Sequence, residues 1–170
     1  DRSKIESSKY EINAKPFNIS SVLDEVYSVF GATMSTKGIR LTINSDAVTS
    51  PDVIGDEISL RKILNNLLSN ANKFTRAGGR VTIFASQKQM NEKSSILHLE
   101  VADTGVGISE EFIGHLFEPY TQEMSENGGR AAGSGLGMAI CKSMIDLQGG
   151  SISVRSRLGE GTTFYVDIPY

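Results

Sequence analysis

The sequence has few cysteines and histidines and no excess of positive charge, and these absences exclude several classes of function. There is one cysteine, Cys141, so the chain cannot form an internal disulfide, and thiol or metal chemistry would lack partner residues. We interpret Cys141 as a small core residue in a protein of a reducing compartment. The net charge of −3 argues against a surface built for nucleic acid. No apolar run approaches the roughly 18 residues of a membrane span.

The remaining composition is that of an ordinary soluble domain. Hydrophobic residues make up 39% and charged residues 22% of the chain, which is normal for globular proteins. At 170 residues the chain suits one domain with a sizeable core. Its first residues, Asp1 to Lys4, lack the apolar stretch of a signal peptide. We therefore expect a globular domain of the cytoplasm.

Changes in the apolar period predict the order of helices and strands. Helices are predicted over 1–10, from Ser20 or Ser21 to about Thr36, and over 57–74, 110–117 and 136–148. Strands are predicted over 17–19, 39–43, 53–54, 80–87, 95–103, 151–156 and 162–168. This order lacks the regular alternation of a dinucleotide-binding fold. It predicts an α+β fold, a two-layer sandwich in which helices cover one face of a mixed sheet.

A polar stripe runs along the helix predicted over 57–74. Asn66, Asn70 and Lys73 follow one another at spacings of four and three, opposite the apolar face. Such a stripe is commonly only a solvated surface, and the residues alone leave that interpretation open. However, asparagine is a middling helix former, so two in register are unusual. Amide oxygens are suitable Mg²⁺ ligands and a lysine supplies charge for a phosphate, so the stripe also fits a magnesium and phosphate face.

Asp103 continues the inward-facing row of a predicted strand. The alternate apolar residues of 97–101 precede it on the same face, and Gly105 and Gly107 follow it. A buried carboxylate is costly unless hydrogen bonds satisfy it. An adenine amino group is one such donor, and nearby glycines allow the ring to approach closely. The alternative is a turn in which the neighbouring backbone satisfies Asp103.

A glycine-rich segment, 133–137, leads into the helix predicted over 136–148. Such turns present N–H groups and the positive end of the helix dipole to an anion. The pattern alone is a weak signal. No predicted strand precedes it, which argues against a dinucleotide-binding site.

Together and in this order, these features resemble the nucleotide-binding boxes of the ATPase superfamily that includes histidine kinases, gyrase and heat-shock chaperones. The similarity to sensor histidine kinases is close and covers nearly the whole chain. Segments 66–74, 103–108, 116–120, 133–137 and 159–164 resemble the N box, the first glycine box, the phenylalanine box, the second glycine box and the glycine-threonine box. Asn72, Tyr120 and Met138 depart from the family's usual aliphatic, phenylalanine and leucine residues. The resemblance implies a Bergerat-type ATP-binding fold.

The resemblance also implies ATP and Mg²⁺ as ligands and assigns residues to the phosphate side of the site. Asn70 is expected to bind Mg²⁺, with Asn66 and Lys73 supporting the metal and the phosphates. The second glycine box is expected to fold over the phosphates through Gly133, Gly135, Leu136 and Gly137. The lid, about 121–132, has one cation, Arg130, for which contact with the γ-phosphate and simple solvation are both open.

On the base side, the resemblance implies that Asp103 recognises the adenine amino group. Gly105 and Gly107 are expected to shape the base pocket, and Thr163 to reach the base through water. Neither His98 nor His115 has the sequence context of the family's phosphoacceptor histidine. Both are therefore expected to be structural.

The family's acceptor histidine lies on a helical hairpin ahead of the ATP-binding domain. Residues 1–12 resemble the end of that hairpin, so we expect the catalytic domain to span 13–170. The expected partners are this dimerisation and phosphotransfer domain of the same protein and the receiver domain of a response regulator. The fragment itself is expected to be monomeric and nearly inactive alone. Many relatives are anchored upstream in the membrane, so an inner-membrane anchor for the parent stays open.

Three other functions compete with that of a histidine kinase. An ATP-hydrolysing switch, as in gyrase and the chaperones, uses a glutamate at the position of Asn66, and an asparagine cannot take a proton. A scaffold that has lost catalysis is disfavoured because every box is intact. A kinase for protein serine, as in related anti-sigma factors, is disfavoured by the hairpin-like residues 1–9.

Overall fold

The computed structural model describes residues 10–119 and 137–170. Within these ranges the chain forms seven strands, Lys15–Asn18 (β1), Arg40–Ala47 (β2), Asp52–Gly55 (β3), Arg80–Gln89 (β4), Ser95–Asp103 (β5), Ser151–Arg157 (β6) and Gly161–Pro169 (β7). It also forms four helices, Ile19–Lys37 (α1), Glu57–Phe74 (α2), Glu110–Ile113 (α3) and Gly137–Leu147 (α4). The helix predicted over 1–10 falls almost entirely outside the described residues. None of these four helices is long and apolar enough to cross a membrane.

Five strands form one mixed sheet in the order β2-β4-β5-β7-β6. The β2–β4 pair is parallel, and the other neighbouring pairs are antiparallel. Strands β1 and β3 form a separate antiparallel pair. Alternate residues of the central strands are buried, namely Val81, Ile83, Ala85, Leu97, Leu99, Val101, Phe164, Val166 and Ile168. Buried residues of α1, α2 and α4 belong to the same core, which confirms the predicted α+β sandwich.

Helix α1 begins earlier than predicted because Asn18, rather than Ser20 or Ser21, is its N-cap. The Asn18 side chain accepts a hydrogen bond from the Ser21 N–H at 2.9 Å. Ile19, predicted as strand, is fully buried as the first helical residue. Gly38 follows the helix as predicted and has a φ of 85°, a conformation that favours glycine.

Helix α2 spans the residues that its periodicity predicts. Asp56 caps it by accepting a hydrogen bond from the Ser59 N–H at 3.0 Å. At the other end, the Lys37 ammonium donates to the carbonyl oxygens of Asn72 and Lys73, where a cation also complements the helix dipole.

Helix α3 is shorter than the predicted helix over 110–117. The Ser109 hydroxyl caps its start by accepting a hydrogen bond from the Phe112 N–H at 3.2 Å. Gly114 follows its fourth residue, and glycine is a poor helix former. Turns, rather than a continued helix, extend from Gly114 to residue 119.

The Asn72 side chain of α2 carries an unsatisfied polar atom. Its amide oxygen is buried and has no hydrogen-bond partner in the described part of the chain. A buried polar atom without a partner destabilises a protein by about 1–3 kcal/mol. We therefore expect Asn72→Leu to raise the free energy of unfolding by about 1 kcal/mol, as measured by urea denaturation.

The matched control is Asn65→Leu, because Asn65 is exposed on the same helix. This change should alter the free energy of unfolding by less than about 0.5 kcal/mol. Equal stabilisation by both substitutions would trace the gain to helix propensity. A destabilised Asn72→Leu variant would contradict the interpretation of the amide oxygen as unsatisfied.

Candidate functional site

Three polar residues lie side by side across three strands, at one end of the buried face of the sheet. Asp103 ends β5, Thr162 lies near the start of β7, and Ser156 lies near the end of β6. Thr162 is the register partner of both Asp103 and Ser156. The next row toward the sheet centre is apolar and consists of Val101, Phe164 and Val154. The buried face therefore changes from apolar to polar at this end.

The Asp103 carboxyl group is half-buried and held by backbone donors. The Gly105 N–H donates to its Oδ1 at 2.9 Å, and the Thr162 N–H donates to it as well. Burial raises the pKa of Asp103 above its usual value, while these two hydrogen bonds act in the opposite direction. The turn in which neighbouring backbone N–H groups satisfy the Asp103 carboxylate is thus present. A carboxylate nevertheless offers about four acceptor positions, so it keeps the capacity to bind a ligand.

An open cavity of about 570 Å³ lies beside the polar row. Asp103, Ser156 and Thr162 line it together with two apolar residues, Ile113 of α3 and Val154 of β6. Glu110, Arg155, Arg157, Glu160, Gly161 and Thr163 complete the lining. Its volume lies in the range of small-molecule sites, and most of its lining is polar or charged.

The loop after Asp103 is packed against backbone on both sides, which requires its glycines. A Cβ atom on Gly105 would lie 2.6 Å from the Phe74 carbonyl oxygen at the end of α2. A Cβ atom on Gly107, whose φ is 78°, would lie 1.9 Å from the Arg157 carbonyl oxygen. The two glycines therefore fix the loop between α2 and β6, next to the cavity.

The polar stripe of α2 lies beside the start of α4. Asn66 and Asn70 are half-buried, and Lys73 is exposed one turn further on. A Cβ atom on Gly137 would lie 3.6 Å from the Asn66 amide oxygen. The structure thus brings Asn66 and the first described residue of α4 together, and the positive end of a helix dipole favours an anion.

The sequence that forms this site matches a known protein family. The family model for the histidine kinase-, DNA gyrase B- and HSP90-like ATPases matches residues 55–170, which include the cavity, the glycine loop and the stripe. The chain belongs to this family.

Within this ATPase family, the chain is similar to sensor kinases. It is 36% identical over 170 residues to the autoinducer 2 sensor kinase/phosphatase LuxQ of Vibrio parahaemolyticus serotype O3:K6. The match covers 99% of this chain and 20% of LuxQ, so the chain spans about a fifth of that relative's length.

Solved structures of histidine kinases show the same fold. Full-length ShkA in complex with AMPPNP superposes with a TM-score of 0.80 at 29% identity, covering 98% of this chain and 33% of ShkA. The nucleotide-free catalytic domain of histidine kinase ThkA superposes with a TM-score of 0.74 at 26% identity, covering 92% of this chain and 95% of that domain. The predicted resemblance to histidine kinase catalytic domains, with the Bergerat-type fold, is confirmed.

The two threonines of the glycine-threonine box lie on opposite faces of β7. Thr163 is paired with Ala102 and Arg155, away from the face that carries Asp103. Both threonines line the cavity, but Thr162 is the one beside Asp103. The role predicted for Thr163 stays a prediction. Thr162 and Ser156, which also line the cavity, were not predicted as site residues.

Part of the predicted site lies outside the described residues. Arg130, Gly133, Gly135 and Leu136 belong to this part, as does the lid over 121–132. The roles predicted for them remain predictions.

Three other potentially reactive side chains are either paired with a carboxylate or buried in the core. His98 Nδ1 lies 2.7 Å from an Asp167 carboxylate oxygen, and His115 Nδ1 lies 3.1 Å from a Glu118 carboxylate oxygen. Cys141 is fully buried, and burial raises its pKa to about 12. These contacts fit the structural roles that the sequence predicts for all three.

Proposed function

We propose that this domain binds ATP with Mg²⁺ and serves as the phosphate-donating half of a protein-histidine kinase. The observation that carries the proposal is the Asp103 carboxyl group, which lies at the edge of a cavity of small-molecule size. The family membership, the sensor kinase relative and the AMPPNP-bound ShkA structure support it.

In this proposal, adenine lies in the cavity and its amino group donates a hydrogen bond to Asp103. Val154 and Ile113 supply apolar contacts for the ring. Thr162 lies beside Asp103 and is the better placed of the two threonines for a contact near the amino group. Guanine carries an oxygen where adenine carries the amino group, so a carboxylate there disfavours it.

The amide face of α2 fits a magnesium ion held largely by nucleotide phosphates. Asn66 and Asn70 place hard, neutral amide oxygens one turn apart, and we assign Asn70 as the ligand. No group of three His, Cys, Asp or Glu side chains suited to a metal exists within 10–119 and 137–170. Bound there, Mg²⁺ would neutralise phosphate charge, with Lys73 adding a further positive charge.

The phosphate acceptor in this proposal is a histidine on a helical hairpin elsewhere in the same protein. Its neutral imidazole nitrogen attacks the γ-phosphorus in line, and the bond from that phosphorus to the leaving ADP breaks. The phosphate then passes to an aspartate on a response regulator receiver domain. His98 and His115 are both engaged by carboxylates, so we assign the acceptor to neither. The 170-residue chain should therefore bind ATP as a monomer and turn it over slowly.

Asp103→Asn tests the proposal in calorimetric titrations with ATP and Mg²⁺. We expect the wild-type chain to prefer ATP over GTP. The variant should lose ATP affinity by roughly 10- to 100-fold, because it loses a hydrogen bond to a charged group. Asn70→Asp, titrated with and without Mg²⁺, tests the metal assignment separately. Without the metal its carboxylate should weaken ATP binding by repelling the phosphates, and with Mg²⁺, which carboxylates also bind, the loss should be smaller.

The control for Asp103→Asn is Asp46→Asn, the same chemical change at an exposed residue of β2. Its ATP affinity should equal that of the wild-type chain. Failure of the wild-type chain to bind millimolar ATP would reject the proposal and leave a scaffold of the same fold. Sustained ATP hydrolysis by the chain alone would instead favour the switch function of the gyrase and chaperone relatives.

A further inference from the structure

The hydrogen-bonding capacity of the Ser156 hydroxyl is completely used. The Ile108 N–H donates to Ser156 Oγ at 2.8 Å, and Ser156 Oγ donates to the Gly161 carbonyl oxygen at 2.8 Å. Thr162 Oγ1 lies 2.8 Å from the same Ser156 oxygen. A serine hydroxyl has one proton and two acceptor positions. Since a carbonyl only accepts, the serine proton goes to Gly161, and the Thr162 hydroxyl must donate to Ser156.

This arrangement fixes what Thr162 offers to the cavity. Its single proton points to Ser156, so only its oxygen lone pairs remain for a ligand. Thr162 is 7% exposed and lies directly beside Asp103 in the register of β5 and β7. The edge of the cavity therefore presents two neighbouring acceptors, the Asp103 carboxylate and the Thr162 hydroxyl oxygen, with the hydroxyl proton turned away.

We propose that Ser156 is a positioning residue through which the site selects purines by the group at position 6. The inference rests on the proposed ATP binding. Adenine carries an amino group there, with two N–H donors that match two acceptors directly or through water. Hypoxanthine and guanine carry an oxygen that only accepts, which both acceptors disfavour. Without Ser156, the Thr162 hydroxyl is free to rotate and donate to that oxygen.

The test compares the affinities of the 170-residue chain for ATP and ITP, which differ in the base at and next to position 6. Ser156→Ala should lower the ATP-to-ITP affinity ratio by about tenfold, the equivalent of one hydrogen bond. Ser156→Thr keeps a hydroxyl and should restore most of the ratio. The exposed Ser153 of the same strand supplies the control, and Ser153→Ala should leave the ratio unchanged.

A purely structural role for Ser156 gives a different result. Ser156→Ala also leaves the Ile108 N–H and the Gly161 carbonyl without their serine partner, so some stability is lost. A loss of structure weakens ATP and ITP binding by the same factor and leaves the ratio unchanged. That outcome would overturn the proposal even if both affinities fell.

Thr162→Val provides a second test, because it leaves the bonds from Ser156 to Ile108 and Gly161 available. It should lower the affinity ratio by about the same factor as Ser156→Ala, and the double variant should show no further fall. Independent effects in the double variant would reject the coupling between the two hydroxyl groups. ATP binding by the wild-type chain tests the proposed function alone, so the two proposals fail in distinguishable ways.

Discussion

Replacing Gly107 with alanine is expected to lower the free energy of unfolding by at least about 3 kcal/mol and to abolish ATP binding. Two costs combine at this position. A left-handed φ of 78° is unfavourable for alanine, and its Cβ would lie 1.9 Å from the Arg157 carbonyl oxygen. Arg157 contributes backbone there, not the tip of a flexible side chain, so β6 or the loop must move. Such a movement separates the Ile108 N–H from Ser156 and deforms the cavity edge.

Gly159→Ala is the matched control for this prediction. Gly159 has a φ of 82°, but a Cβ on it would meet no atom within 4 Å in the described structure. The substitution should therefore cost only the backbone term, about 1 kcal/mol, and retain ATP binding. Urea denaturation and calorimetry measure both quantities. Equal losses of stability in the two variants would show that the contact with Arg157 does not matter.

Replacing Asp56 with alanine is expected to lower the free energy of unfolding by about 3 kcal/mol. Asp56 is 2% exposed, and its two carboxylate oxygens have separate partners. Oδ1 caps α2, whereas Oδ2 accepts hydrogen bonds from the Tyr10 hydroxyl at 3.0 Å and the Asn13 N–H at 3.1 Å. Burial, together with the Asp56 contact, raises the pKa of Tyr10 to about 12. Loss of the side chain removes the cap and releases residues 10–13 from the domain.

Two further variants separate the helix cap of Asp56 from its contacts with Tyr10 and Asn13. Asn18→Ala removes the cap of α1 together with a hydrogen bond to Asp52 and should lower the free energy of unfolding by about 1 kcal/mol. Asp56→Asn keeps a capping oxygen but presents an amide group to Tyr10 and Asn13, so it should lie between the two alanine variants. If Asp56→Ala were no more harmful than Asn18→Ala, the contacts with Tyr10 and Asn13 would contribute nothing to stability.

Local patterns predicted those parts of the fold that depend on residues close in sequence. The apolar period of α2 and its flanking residues predicted its bounds, and the alternation over 95–103 predicted the whole of β5. The start of α1 was predicted less well, because several neighbouring residues are good caps. The choice of Asn18 follows from burial of Ile19, which is a property of the assembled core.

Of the residues that line the cavity, the sequence motif named Asp103 and Thr163, whereas Thr162 and Ser156 depend on strand register and were not named. Asp103 and its glycines form a motif that is visible in the sequence. Ser156 belongs to the cavity edge only because the hairpin places it opposite Thr162. Thr162 itself was within reach, because it lies two residues before the buried Phe164 and so shares its face. The contacts of Asp56 join residues 43 and 46 positions apart, and no local pattern encodes such a distance.

Strand β7 follows the other six described strands in the chain, yet it lies between β5 and β6. During synthesis on the ribosome, β5 and β6 therefore emerge before the strand that joins them. Until Gly161–Pro169 leaves the exit tunnel, Asp103 lacks its neighbour on β7 and one edge of β5 stays unpaired. A nascent chain thus lacks the complete pocket that we propose for ATP until its last strand has paired with β5.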